Sequence, residues 1–118
     1  KAAVTEYRRR EQYRGYALLE VRPRTGRMHQ IRVHLAAIGL PLVADGRYDS
    51  GEPLFLSDFK RRYRSSRREP QRPLLSRLAL HAQRVTFAHP LTGEQVSFEA
   101  ELPKDLRTAL AQLAKYAR

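Results

Sequence analysis

The chain has 118 residues, no cysteine, and 23 Lys plus Arg against 12 Asp plus Glu, a formal net charge of +11. That length suits one small domain with a single modest core. The missing cysteines exclude a disulfide scaffold, a thiolate metal site and a cysteine nucleophile, and suit a cytoplasmic protein. The charge excess points to a polyanionic partner, nucleic acid first. No signal peptide is expected, no apolar run is long enough for a membrane span, and the basic charge is spread over several segments rather than along one amphipathic helix.

Ala3 to Tyr7, running into Arg8-Arg9-Arg10, reads as a strand that begins without a turn or cap, as if cut from something longer. After a turn near Gln12 to Gly15, Tyr16 to Val21 alternates in the β manner. Ala17, Leu19 and Val21 fall on one face, and Tyr16, Leu18 and Glu20 on the other.

Arg22 to Gly39 is the stretch richest in chemistry: it gathers four arginines, two histidines and a glutamine around a helix start. At about 100° per residue, Met28, Ile31, Leu35 and Ile38 share one stripe, and Gly39 supplies the stop. Thr25 can cap the first free N–H groups and Gly26 lets a ligand approach the backbone, so the helix opens at an end suited to a phosphate. Arg32 lies at the edge of the stripe, roughly 90° from its centre. A half-buried guanidinium needs an anionic partner, and no Asp or Glu lies between Val21 and Ala44, so the partner is expected from elsewhere. A structural ion pair and an active-site role both fit this spacing.

Leu40 to Tyr48 reads as a loop with Asp45-Gly46 as its turn. Residues 49–73 are the least regular part, an insertion-like segment with partial helix expected around Phe55 to Tyr63. Within it Lys60 to Arg72 holds seven basic residues and one acid. Lys60, Arg61, Arg62, Arg64, Arg67 and Arg68 fit either a solvated charged loop or a strip that contacts an RNA phosphate backbone. Beyond Leu78 the texture is β again. An extended Leu78 to Phe87, a turn at His89 to Gly93 and a return strand Gln95 to Ala100 make a hairpin, with Val96, Phe98 and Ala100 expected on a buried face. Pro103 opens a last helix whose stripe is Leu106, Leu110 and Leu113, with Asp105 placed to suit the helix dipole.

No repeat, P-loop or dinucleotide fingerprint is present. His29 and His34 stand five apart, about 140° around a helix, which disfavours a shared metal. Hydrogen bonding is the expected role of His81 and His89. Ser65, Ser66, Ser76 and Ser97 lack the context of a nucleophile elbow.

Thr25-Gly26-Arg27-Met28-His29-Gln30-Ile31-Arg32-Val33-His34, followed by Gly39-Leu40-Pro41-Leu42-Val43-Ala44-Asp45-Gly46-Arg47-Tyr48, resembles the signature of the RluA-type RNA pseudouridine synthases. Leu80-His81-Ala82, the run from Phe87 to Glu94, and Leu102-Pro103 follow in the order such enzymes show, and Lys1 to Tyr7 resembles the segment before the signature strand. The resemblance implies an α+β fold, a mixed and mainly antiparallel sheet with helices packed on it. It also implies isomerisation of uridine to pseudouridine in RNA, most often ribosomal RNA, without cofactor or metal. In such enzymes an aspartate assists cleavage of the glycosidic bond, the uracil turns, and it is rejoined through C5. The arginine at the place of Arg32 pairs with that aspartate, and Thr25, Gly26, Arg27, His29, Gln30 and His34 lie near RNA or the pocket, a structural hydrogen bond being equally open to His34.

The family's nucleophilic aspartate, in a His-Arg-Leu-Asp type motif, and its base-stacking tyrosine lie N-terminal to the part seen here. Asp45, Asp49, Asp58 and Asp105 stand in the wrong contexts to replace that aspartate. The chain is therefore expected to be the C-terminal portion of a catalytic domain, inactive alone, with exposed sheet edges open to self-association. An internal acid that neutralises Arg32, with no cleft beside it, would count against this reading. A non-catalytic basic RNA-binding module and a ribosome-associated structural protein are the alternatives.

Overall fold

The computed structural model describes residues 2–64 and 70–118; Arg67 and Arg68, named above as RNA-contact candidates, lie outside them. Among the described residues the strands and α-helices follow in the order β1 (Thr5–Tyr13), β2 (Tyr16–Pro23), α1 (Gln30–Ala37), β3 (Arg84–Ala88), β4 (Gln95–Glu99) and α2 (Lys104–Tyr116). The class is α+β, as expected, with the four strands arranged as two separate antiparallel ribbons, β1–β2 and β3–β4.

β1 and β2 pair from Thr5↔Pro23 to Tyr13↔Tyr16, with a register shift between Arg9 and Glu11. Gly15, at φ +81°, closes the two-residue turn between them, a conformation that costs glycine least. Tyr13, Tyr16 and Leu18 reach into the core from the turn end of this ribbon. They meet Leu54, Phe59 and Leu75 from the middle of the chain and Ala109, Leu113 and Ala117 from the last helix and its end. Burial of this apolar surface is the main term holding the segments together. Tyr16 and Phe59 pack edge to face with ring centroids 6.0 Å apart.

The segment read as an insertion is thus tied into the core at its start. Leu54 donates its N–H to Leu75 O at 2.8 Å and its carbonyl accepts the Leu74 and Leu75 N–H groups at 2.8 and 3.3 Å, and Phe59 is buried. Its helical content among the described residues is one 3-10 turn, Leu56–Asp58, rather than a helix through Tyr63. The aromatic and leucine positions, not the charges around them, decide where this segment sits.

Two arginines anchor α2. Arg77 donates to both oxygens of Asp105 at 2.7 Å, fixing the first turn. At the other end Arg14 donates its backbone N–H to Ala117 O at 2.5 Å and its guanidinium to Tyr116 O at 3.2 Å, satisfying carbonyls the helix leaves free.

The β3–β4 hairpin departs from expectation. Its register, Val85↔Phe98 and Phe87↔Val96, puts four apolar side chains on one face, with Phe87 and Phe98 stacked at 6.0 Å. Val85, Phe87 and Phe98 are nevertheless exposed, because no other element among the described residues covers that face. The period-2 pattern marked an amphipathic ribbon correctly but could not supply its cover.

The helix α1 begins later than its apolar spacing suggested. His29 adopts a left-handed conformation, φ 51° and ψ 27°, at the position before Gln30, so Met28 precedes the helix and is 85% exposed rather than part of the stripe. Ile38 is exposed as well, and Leu35 alone of the four expected positions is buried. Thr25 does not cap the helix, since its hydroxyl is committed to Gln30.

A candidate active-site arginine and its cleft

The entrance to α1 is fastened to β1 by one side chain. Gln30, 6% exposed, donates through Nε2 to Val4 O at 2.7 Å and to Thr5 Oγ1 at 2.8 Å. Its Oε1 accepts from the Thr25 hydroxyl at 2.5 Å and from the Arg27 N–H at 3.1 Å. The Thr25 oxygen in turn accepts the Val4 N–H at 3.1 Å. Every polar atom of the Gln30 amide is therefore satisfied inside the chain, and this side chain shapes the site rather than offering its amide to a ligand. His34, one turn on, shares a 2.6 Å hydrogen bond with Thr5 Oγ1, the structural role that its sequence position left open.

Beside this clasp lies an open cleft of about 370 Å³. Thr25, Gly26 and Arg27 form one wall, His29, Gln30 and Arg32 the next, and Leu78 and Leu80 add an apolar side. Six of the residues singled out in the sequence thus meet at one place. Lys60, Arg61, Arg62 and Arg64 do not line it. Arg61, Arg62 and Arg64 are exposed, while Lys60 is half-buried with its ammonium 4.6 Å from the centre of the Tyr116 ring.

Arg32 has a partner within the chain, which corrects the expectation that its acid comes from elsewhere. Nε donates to Asp45 Oδ2 at 3.0 Å and Nη2 to Asp45 Oδ1 at 2.7 Å, a side-on, two-point pair. Asp45 is the first acid after the basic stretch, one residue past the window in which no acid occurs. It was read as a turn residue, and it is one. Asp45 Oδ1 also accepts the Arg47 and Tyr48 N–H groups at 3.0 and 3.2 Å, so one carboxylate both builds the loop and grips the helix.

That loop is tightly built around an acid that is only 1% exposed. Ala44 takes φ +61° and Gly51 φ +77°, and Gly51 packs so close to the Gly46 backbone that it has no room for a side chain. The Arg32 hydrogen bond, aided by the two backbone N–H groups and opposed by burial, holds the Asp45 carboxyl far below the usual aspartate range. The same hydrogen bond raises Arg32 above its ordinary value. The pair is charged throughout the physiological range.

Tyr48 completes the arrangement. Its ring centre lies 5.3 Å from the Arg32 guanidinium carbon, and its hydroxyl shares a 3.0 Å hydrogen bond with His29 Nδ1. Asp45 below and Tyr48 beside it leave the guanidinium one unused edge. Among the described residues, Nη1 donates to nothing. Three of the five N–H groups of the fork remain for an anion entering the cleft that Arg32 lines. An acid neutralises Arg32, but a cleft does stand beside it. His81 and His89 are elsewhere and make the expected hydrogen bonds, to Ala100 O and from the Leu91 N–H.

No protein-family model matches the chain. Individual proteins do. It is 43% identical over 109 residues to ribosomal large subunit pseudouridine synthase D of Haemophilus influenzae, covering 89% of this chain and 31% of the relative. It is 38% identical over 117 residues to an uncharacterized RNA pseudouridine synthase of Chlorobaculum parvum, covering 96% and 34%. The corresponding protein D of Xanthomonas campestris is 38% identical over 121 residues, covering 94% and 32%. The chain thus spans about a third of the length of the curated relatives it matches. By sequence it is thus a stretch similar, over about nine-tenths of its length, to proteins named as RNA pseudouridine synthases.

Proposed function

We propose that these residues form the arginine-bearing part of an enzyme that isomerises uridine to pseudouridine in RNA, and that a carboxylate from sequence outside them completes the site. The observation that carries this reading is the guanidinium of Arg32, which is held on one edge, unused on the other, and placed at a cleft. A cation so placed keeps an incoming aspartate ionised and oriented for its work at the ribose, because an opposite charge within a few ångströms favours the charged carboxylate. Arg27 and Gly26, exposed at the cleft mouth, suit the flanking phosphate.

A uridine within a helix has to leave the stack before its glycosidic bond can be reached, and basic surface that holds the flanking backbone offsets part of that cost. Exposed Arg61, Arg62 and Arg64 are assigned to that backbone contact. Ribosomal RNA is the proposed substrate, since relatives at 43% and 38% identity are named for the large ribosomal subunit. The test is to supply the full polypeptide that contains this stretch with large-subunit ribosomal RNA labelled with tritium at uracil C5. Release of tritium together with pseudouridine in the digested RNA is expected. Intact label over many equivalents of enzyme would contradict the proposal.

A further inference from the structure

We infer that Asp45 is a positioning residue for the reaction, acting through Arg32; this rests on the reading just given. An arginine on a helix of eight residues has rotatable bonds enough to point its fork in several directions. Asp45 removes that freedom. Two hydrogen bonds to Nε and Nη2 fix both the position of the guanidinium and the plane in which it lies, and they select which edge remains for a second carboxylate. The acid itself cannot follow the arginine, because Oδ1 is held by two backbone N–H groups of its own loop. Positive φ at Ala44 and the contact between Gly46 and Gly51 brace that loop.

The arrangement also separates two functions of charge. Asp45 balances the charge of Arg32, so that this partly buried guanidinium does not stand as an isolated cation. The free edge still offers directed N–H groups to an acid that arrives with the reaction. Tyr48, stacked against the guanidinium and tied to His29, closes the remaining side.

The test compares Asp45→Asn with the parent in the full enzyme, at steady state with target RNA in excess. Asparagine keeps an oxygen for the loop N–H groups but gives up the charge and one acceptor for Arg32. The expected result is kcat lower by about 10²-fold, the order of loss for a misplaced catalytic group, with KM for RNA within about twofold. Unchanged kcat, or a loss confined to KM, would overturn the inference. Should that variant fail to fold, the parent enzyme bound to a target-site RNA oligonucleotide decides the matter. Arg32 is expected to keep both bonds to Asp45 while its other edge meets the second carboxylate, and a guanidinium swung away from Asp45 would overturn the inference. A parent that forms no pseudouridine contradicts the functional reading, whereas an active Asp45→Asn enzyme contradicts only this one.

Discussion

Gly51 and Gly46 lie back to back: a Cβ on Gly51 would stand 2.7 Å from Gly46 Cα, closer than side-chain carbons approach backbone. With Gly51 also at φ +77°, Gly51→Ala is expected to cost about 2 kcal/mol or more of stability and to displace the loop that holds Asp45. Urea denaturation of the two proteins measures the first effect. A shift in the Arg32 side-chain NMR signals measures the second.

Gln30→Ala tests the clasp. The substitution leaves the Val4 carbonyl, the Thr25 hydroxyl and the Arg27 N–H without the partners they have now. A loss of about 2–3 kcal/mol is expected, since unsatisfied buried groups cost more than a hydrogen bond gains. The denaturant midpoint should fall with the slope unchanged, and a variant as stable as the parent would show that Gln30 is not the fastening.

The acid limb of stability follows from depressed carboxyls. Asp45 is lowered from 3.8 by the Arg32 hydrogen bond, and Asp105 is lowered by that of Arg77. The unfolded chain takes up these protons first, so the stability each contributes is present above the ordinary aspartate value and is lost as pH falls toward the folded value. Asp45→Asn is therefore expected to be less stable than the parent at pH 7, with the gap narrowing as pH falls below 3.8. Thermal melts across that range give the result, and a gap that widens toward acid would contradict it.

The basic segment is tested by salt. If exposed Arg61, Arg62 and Arg64 each meet a phosphate, replacing all three by alanine makes the slope of log affinity against log salt shallower by about 2, with little change in sequence preference. Filter binding at several salt concentrations reads this directly, and an unchanged slope assigns those arginines to solvent.

The site was more legible in the sequence than the packing was. Arg32, Arg27 and Gly26 could be placed at one pocket because a helix start in basic, acid-free sequence is a local pattern, and the structure gathers them at one cleft. Asp45 was missed as a partner because its contact with Arg32 spans 13 residues and depends on a loop whose closure rests on positive φ at Ala44, which no residue type announces. Gln30 looked like a ligand for the same reason: the acceptors that occupy it are Thr5 at the start of β1 and Val4 just before it, 25 and 26 residues away. Periodicity located the β3–β4 ribbon but could not say that its apolar face would stand uncovered, since burial is a property of what lies opposite.

The central claim is tested most directly by pseudouridine formation in the full enzyme with Arg32 replaced by alanine and by lysine, measured in a single turnover on target RNA. Loss of at least about 10²-fold in the alanine variant is expected, with only partial recovery in lysine, which carries the charge but cannot make the two-edged contact. Parent-like turnover in the alanine variant would contradict the account.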